Sequence, residues 1–232
     1  MSANDFVLVQ GLRDTRGTLE RWNRDPWPVF RAWALLSAAV AAALLGAVWL
    51  VATLSPPDPT PLHLAGVTRD AVASDIGQVL FRNSLVLTLH ALACVAGFIA
   101  GSSLPLTAQQ HSGVWRRVHE LAGPIAIAWV MAATIFSLST QAFVLGSSAS
   151  TLANQLALSP AELITGLLPH AIPELTALFL PLAAWTLASR ADNWHELLAA
   201  TFATVAVAVP TLVVAAFVEV YVSPRLILAL AA

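Results

Sequence analysis

The chain has 232 residues, 58% of them hydrophobic and 10% charged, with a mean hydropathy of +0.76 and a formal net charge of −2. A soluble domain carries about 25% charged residues, so an ordinary aqueous enzyme is excluded and an integral membrane protein is indicated. Nucleic acid is excluded as a partner too, because phosphate binding needs clustered cations and the 11 cations, all arginine, form no concentrated basic tract.

A span needs roughly 20 apolar residues to cross a hydrocarbon core of about 30 Å. The length therefore allows five or six spans with short loops. The first 28 residues hold four arginines and four acids and no apolar core, so no cleaved signal peptide is expected. Residues 1–29 are read as a cytoplasmic N-terminal segment, with residues 30–232 as the transmembrane domain. Phe6, Val9, Leu12, Leu19 and Trp22 sit among arginines in that segment. It fits either an amphipathic helix on the membrane surface or a solvated tail ending in a belt at Trp27 and Trp33.

Apolar stretches bounded by charge, Pro and Gly place a first span over 30–54, ended by the Pro-rich run 55–61. A second covers 83–104, and the helical spacing of Val72, Ile76, Val79 and Leu80 can extend it outward. A third covers 121–143, a fourth 170–189 and a fifth 197–222. Between the third and fourth, residues 144–169 are apolar but broken by Gly146, the run Ser147–Ser150, Pro160 and Gly166. That piece is expected as a short helix or re-entrant hairpin. The expected fold is an all-α polytopic bundle of about five spans, with no internal repeat of the transporter kind.

Orientation follows from arginine asymmetry. Arg13, Arg16, Arg21, Arg24, Arg31, Arg116, Arg117 and Arg190 fall on one side, and Arg69, Arg82 and Arg225 on the other. The N-terminus is thus expected in the cytoplasm of a plasma-membrane protein and, with five spans, the C-terminus outside.

Glu174 and Glu219 are the acids inside the assigned spans. Charge in hydrocarbon costs several kcal/mol and marks either function or a paired contact. His170 shares a helix face with Glu174, four residues on. Arg82, Asn83, His170, Glu174 and Glu219 all fall near the outer end of their spans, with His90 about 10 Å deeper at 1.5 Å per residue. One outward-facing polar cluster of Asn83, His170, Glu174 and Glu219 is the economical arrangement.

Three readings of the cluster stay open. In the first, His170 and Glu174 open a helix behind Pro169, which suits a first turn, and Glu174 bonds Asn83 or pairs with Arg82 to hold helices together. In the second, the cluster handles a substrate or proton in a cavity. In the third, His170, Glu174 and Glu219 supply a histidine and two carboxylates to a metal. No dense ligand motif supports that, and neither metal nor cofactor is expected. Cys94, the single cysteine, lies in an apolar run, so no disulfide or Cys-based metal site can form.

Gly97 and Gly101 form a small-xxx-small pair suited to close helix packing, with a gating role as the rarer use. His111, Arg116, Arg117, His119 and Glu120 can dock a partner or lipid headgroups, or simply fix topology. There is no Walker A sequence, GxSxG elbow or HExxH, and no serine has an acid and base placed by sequence to activate it. A bond-breaking enzyme is not expected.

The stretches Phe81-Arg82-Asn83 leading to Gly97 and Gly101, Gln141 to Gly146, Leu168-Pro169-His170-Ala171-Ile172-Pro173-Glu174-Leu175, and Ala216-Phe217-Val218-Glu219 with Ser223-Pro224 resemble the stage II sporulation protein M family. The resemblance covers about residues 75–226, and its most specific part is the Pro-His-x-x-x-Glu segment. Two positions depart: Ala171 stands at the family's glycine, and Gln141-Ala142 at its Asn-Gly.

The resemblance implies a non-enzymatic membrane scaffold or accessory subunit working in a complex. Its partners would be other membrane or envelope proteins, such as a peptidoglycan hydrolase or ABC transporter subunits, within the lipid bilayer, with a second copy of the chain as a further candidate. The architecture and outer polar cluster carry over; the sporulation role does not. The alternative is a transport subunit whose His/Glu cluster lines the path, and a third, a metal-dependent intramembrane hydrolase.

Overall fold

The computed structural model describes residues 7–103 and 112–232. The expectations placed on Phe6, Leu104 and His111, and on the side chains of Val9, Leu12 and Glu120, lie outside the described residues. In chain order the helices are α1 (Val7–Arg24), α2 (Trp27–Leu54), α3 (Ala73–Phe98, continued by a π turn over Ile99–Ser103), α4 (Gly113–Gln155), α5 (Pro160–Arg190), α6 (Leu197–Tyr221) and α7 (Ser223–Leu230). Five segments, Trp27–Leu54, Ala73–Ser102, Gly113–Gln155, Pro160–Arg190 and Trp194–Leu230, are long and apolar enough to cross a membrane. The protein is an all-α membrane bundle.

The helix boundaries differ from the sequence reading in two places. Residues 144–169 are neither a separate short helix nor a re-entrant piece. They are the end of α4, a turn, and the start of α5. Ala157 adopts a positive φ of 56° in that turn, and Leu158 N–H returns to the Ala153 carbonyl at 2.9 Å, so α4 ends in a left-handed cap.

Consequently α5 begins ten residues before His170, and Pro169 and Pro173 lie inside it rather than in its first turn. The start is written in Ser159-Pro160-Ala161-Glu162. Ser159 Oγ accepts the Glu162 N–H at 3.2 Å, and Glu162 Oε2 accepts the Ser159 N–H at 2.8 Å. That is a reciprocal capping box with proline at the first helical position. The interior prolines lack the N–H that would bond the carbonyl four residues back, so the Thr165 and Pro169 carbonyls lose those bonds beside the polar residues.

Among the described residues two compact units can be distinguished: those within 1–37, 87–133 and 179–208 form the first, and those within 38–86, 134–178 and 209–232 the second. In the first, α1 is docked by its apolar side. Trp22 and Trp33 meet edge to face at 5.1 Å, a favourable geometry for their ring quadrupoles, and they pack with Leu180, Ala183, Ala184, Ala199 and Ala200. Arg21 hydrogen-bonds Thr18 and pairs with Glu196, both at 2.9 Å. Gly97 and Gly101 lie in this unit at close approaches. An added Cβ would stand 2.6 Å from Trp185 Nε1 at Gly97 and 2.2 Å from the Trp194 ring at Gly101.

In the second unit, the segment 55–72 is folded onto α4 by side-chain bonds to its backbone. Ser150 Oγ donates to the Ser55 carbonyl at 2.7 Å, and Gln155 Nε2 donates to the Thr60 carbonyl at 3.0 Å. Leu62, Leu64 and Val67 pack on Leu152, Ala153, Leu163 and Ile227. Two ionised groups fix the segment. Asp58 accepts the Thr60 N–H at 2.7 Å, and bonding to Thr60 holds its carboxyl below the usual value. Arg69 grips Asp75 through both nitrogens, one at 2.9 Å, which raises the Arg69 pKa. Gly66, at a φ of +76°, abuts Pro224 so closely that a Cβ would stand 2.8 Å from that ring.

Candidate functional site

The folded segment 55–72 forms one wall of a cavity in the second unit. Its volume is about 510 Å³, and its lining includes Leu62, His63, Arg82, His170, Glu174 and Glu219. The remaining walls are largely aliphatic, with Leu44, Val48, Leu152, Leu163 and Leu167 among them. A mostly apolar pocket with a few convergent polar groups is the usual form of a membrane-protein binding site or of a polar core.

Four helices deliver the polar groups. His170 and Glu174 sit one turn apart on α5, as their four-residue spacing requires. Glu219 comes from the last turn of α6 and Ser223 from the first of α7, while Asn83 comes from α3. One ligand atom from each of His170, Glu174 and Glu219 lies within 4.8 Å of the others. His170 is 8% exposed, and its Nδ1 shares a hydrogen bond of 2.7 Å with Ser223 Oγ. That bond fixes the ring and leaves Nε2 free to face other groups.

The electrostatics are unfinished within the site. Two ionised carboxylates at such a separation repel by about 3 kcal/mol at an effective dielectric constant near 20. Arg82 acts on Glu219 through its field, but among the described residues neither glutamate makes an ion pair with it. Asn83 is 7% exposed and neighbours Glu174. Even so, Asn83 Nδ2 and Glu174 Oε2 are both buried without a hydrogen-bond partner of good geometry. Glu174 and Asn83 thus interact through their side chains short of a fully formed bond, and among the described residues no Glu174–Arg82 ion pair is present.

His90 belongs to the first unit, where its ring lies 5.7 Å from that of Phe179. Ser223 is the residue that sequence spacing missed as a site member. Fifty-three positions separate it from His170, and only the return of the chain through α6 brings the two together. Its hydroxyl meets the His170 ring, a pairing that sequence spacing did not place. Ser223 is nonetheless 1% exposed and does not line the cavity, whereas a nucleophile must reach its substrate. It orients the imidazole.

Residues 122–224 match the family model described as Stage II sporulation protein M. The match takes in His170, Glu174, Glu219 and Ser223 and stops short of Asn83, Gly97 and Gly101. No curated protein and no solved structure matches the chain significantly.

Proposed function

We propose, from the match of residues 122–224 to the Stage II sporulation protein M family model, that the chain is a non-enzymatic membrane subunit, a scaffold or accessory component of a multi-protein complex in the cell envelope. The observation that carries this reading is the convergence of α3, α5, α6 and α7 on one buried polar knot. Polar contacts between membrane helices have no water to compete with and so fix which helices pair. A knot of this kind gives a small, nearly all-membrane protein a rigid surface for partners. In the plasma membrane, the arginine asymmetry favours a cytoplasmic N-terminus, with the knot toward the outer leaflet.

The cavity supports a second reading. A volume of about 510 Å³ with Arg82, His170, Glu174 and Glu219 on its wall is enough for a small solute or an ordered chain of waters, so a transport subunit partnered with an ABC transporter is the rival. Affinity purification of tagged wild-type chain from its own membranes, beside Glu174→Gln and Glu219→Gln, separates the two. The scaffold reading expects the variants to lose co-purifying envelope proteins. Intact assembly with abolished solute flux in reconstituted vesicles would instead establish the transport path. Covalent capture of Ser223 by a fluorophosphonate probe would overturn the non-enzymatic reading.

A further inference from the structure

We propose that His170, Glu174 and Glu219 form a binding site for one divalent first-row metal cation, with an exchangeable coordination position facing the cavity. The inference goes beyond the scaffold reading and does not rest on it.

Three independent features point to a cation. First, one nitrogen and two carboxylate ligand atoms lie within 4.8 Å of one another. Tetrahedral ligands about 2.1 Å from a metal are about 3.4 Å apart, so small side-chain rotations close the shell. Second, Glu174 Oε2 is buried with no hydrogen-bond partner. A buried acceptor is left unpaired at a cost, and a cation satisfies it. Third, the Ser223 hydroxyl holds Nδ1 of His170 at 2.7 Å. Metal-binding histidines generally have their second nitrogen bonded in this way, which sets the tautomer and aims the other nitrogen at the ion.

Charge and donor type narrow the ion. Two carboxylates and a neutral imidazole balance a dication, and the nearby Arg82 disfavours a site built for a higher charge. The N/O donor set without sulfur suits zinc or manganese rather than copper(I), and a histidine ligand argues against magnesium or calcium. Three protein ligands leave a fourth position, and the adjoining cavity is where an oxygen donor from water or a partner would enter it.

The test uses the full chain carrying no polyhistidine tag, purified in detergent, stripped with chelator and titrated with zinc. One equivalent per chain is expected by elemental mass spectrometry, and the thermal midpoint should rise with zinc concentration. His170→Ala, Glu174→Gln and Glu219→Gln should each weaken binding by at least tenfold, and Ser223→Ala by about tenfold through loss of ring orientation. Because a variant can fail to fold, X-ray absorption at the zinc edge of the wild-type protein gives a separate readout, expected to show oxygen and nitrogen neighbours with a single imidazole. Substoichiometric zinc, binding unchanged in the folded variants, or a shell with two or more imidazoles would overturn the site. A wild-type chain that binds no zinc while Glu174→Gln and Glu219→Gln still lose their envelope partners would remove this inference and leave the scaffold reading intact; variants that lose zinc yet keep every partner would support the site and overturn the scaffold reading.

Discussion

Glu174 and Asn83 sit side by side with a donor and an acceptor left over, and this shapes what substitutions there should do. Changing Asn83 to aspartate adds a third carboxylate to a crowded site and should destabilise the protein by a few kcal/mol, since like charges a few ångströms apart repel at that scale. Asn83→Ala removes one buried unsatisfied donor and should cost less; differential unfolding in detergent distinguishes the pair. Among the glycines, Gly101→Ala drives a methyl into the Trp194 ring and should cost about 1–3 kcal/mol by overpacking. Gly46→Ala, with nothing within 4 Å of its Cβ, should leave the thermal midpoint unchanged or raise it. The residue types of the cluster were legible from sequence because acids in apolar runs stand out. Ser223 was not, since serines are common in membrane helices and the bond that gives this one a role spans 53 positions.

At the level of elements, the capping box and the docked α1 carry the clearest tests. Ser159→Ala removes the hydroxyl half of the box while keeping the residue's own N–H bond to Glu162, and should cost about 1 kcal/mol, fraying the α4–α5 turn and raising hydrogen exchange there. Trp22→Ala empties a cluster that includes Trp33, Leu180 and Ala183 and should cost about 3 kcal/mol. Its signature is faster tryptic cleavage after Arg13 and Arg16, because α1 would undock. The segment 55–72 responds to acid in one direction. The Asp58 pKa is lowered on folding, so its contribution is present above the unfolded value and is lost as pH falls through the folded one. Helix boundaries show how local signals compete. Pro169 beside a His-Glu pair resembles a helix start, yet Ser159-Pro160-Ala161-Glu162 offers a better one, with a cap, a proline at the first position and an acid at the third.

For the whole molecule, five apolar helices and an arginine bias predict opposite sides for the two termini. Single cysteines at positions 62 and 226, in a chain with Cys94→Ala, should both react with an impermeant maleimide added from outside intact cells. Protection at 226 would contradict a five-span topology. The 43 residues of α4 extend about 65 Å at 1.5 Å per residue, roughly twice the hydrocarbon thickness, so part of that helix must stand outside the bilayer core.

Composition and apolar run length alone determined that this is an all-α membrane protein of five long helices, because the bilayer imposes the same length and polarity on every span. Local chemistry also marked Glu174 and Glu219 as unusual. Only the tertiary structure decided that 144–169 joins two long helices, that the His90 ring lies beside Phe179, and that Ser223 meets His170. Those outcomes depend on which helix faces approach one another, and single-span hydropathy carries no information about pairing.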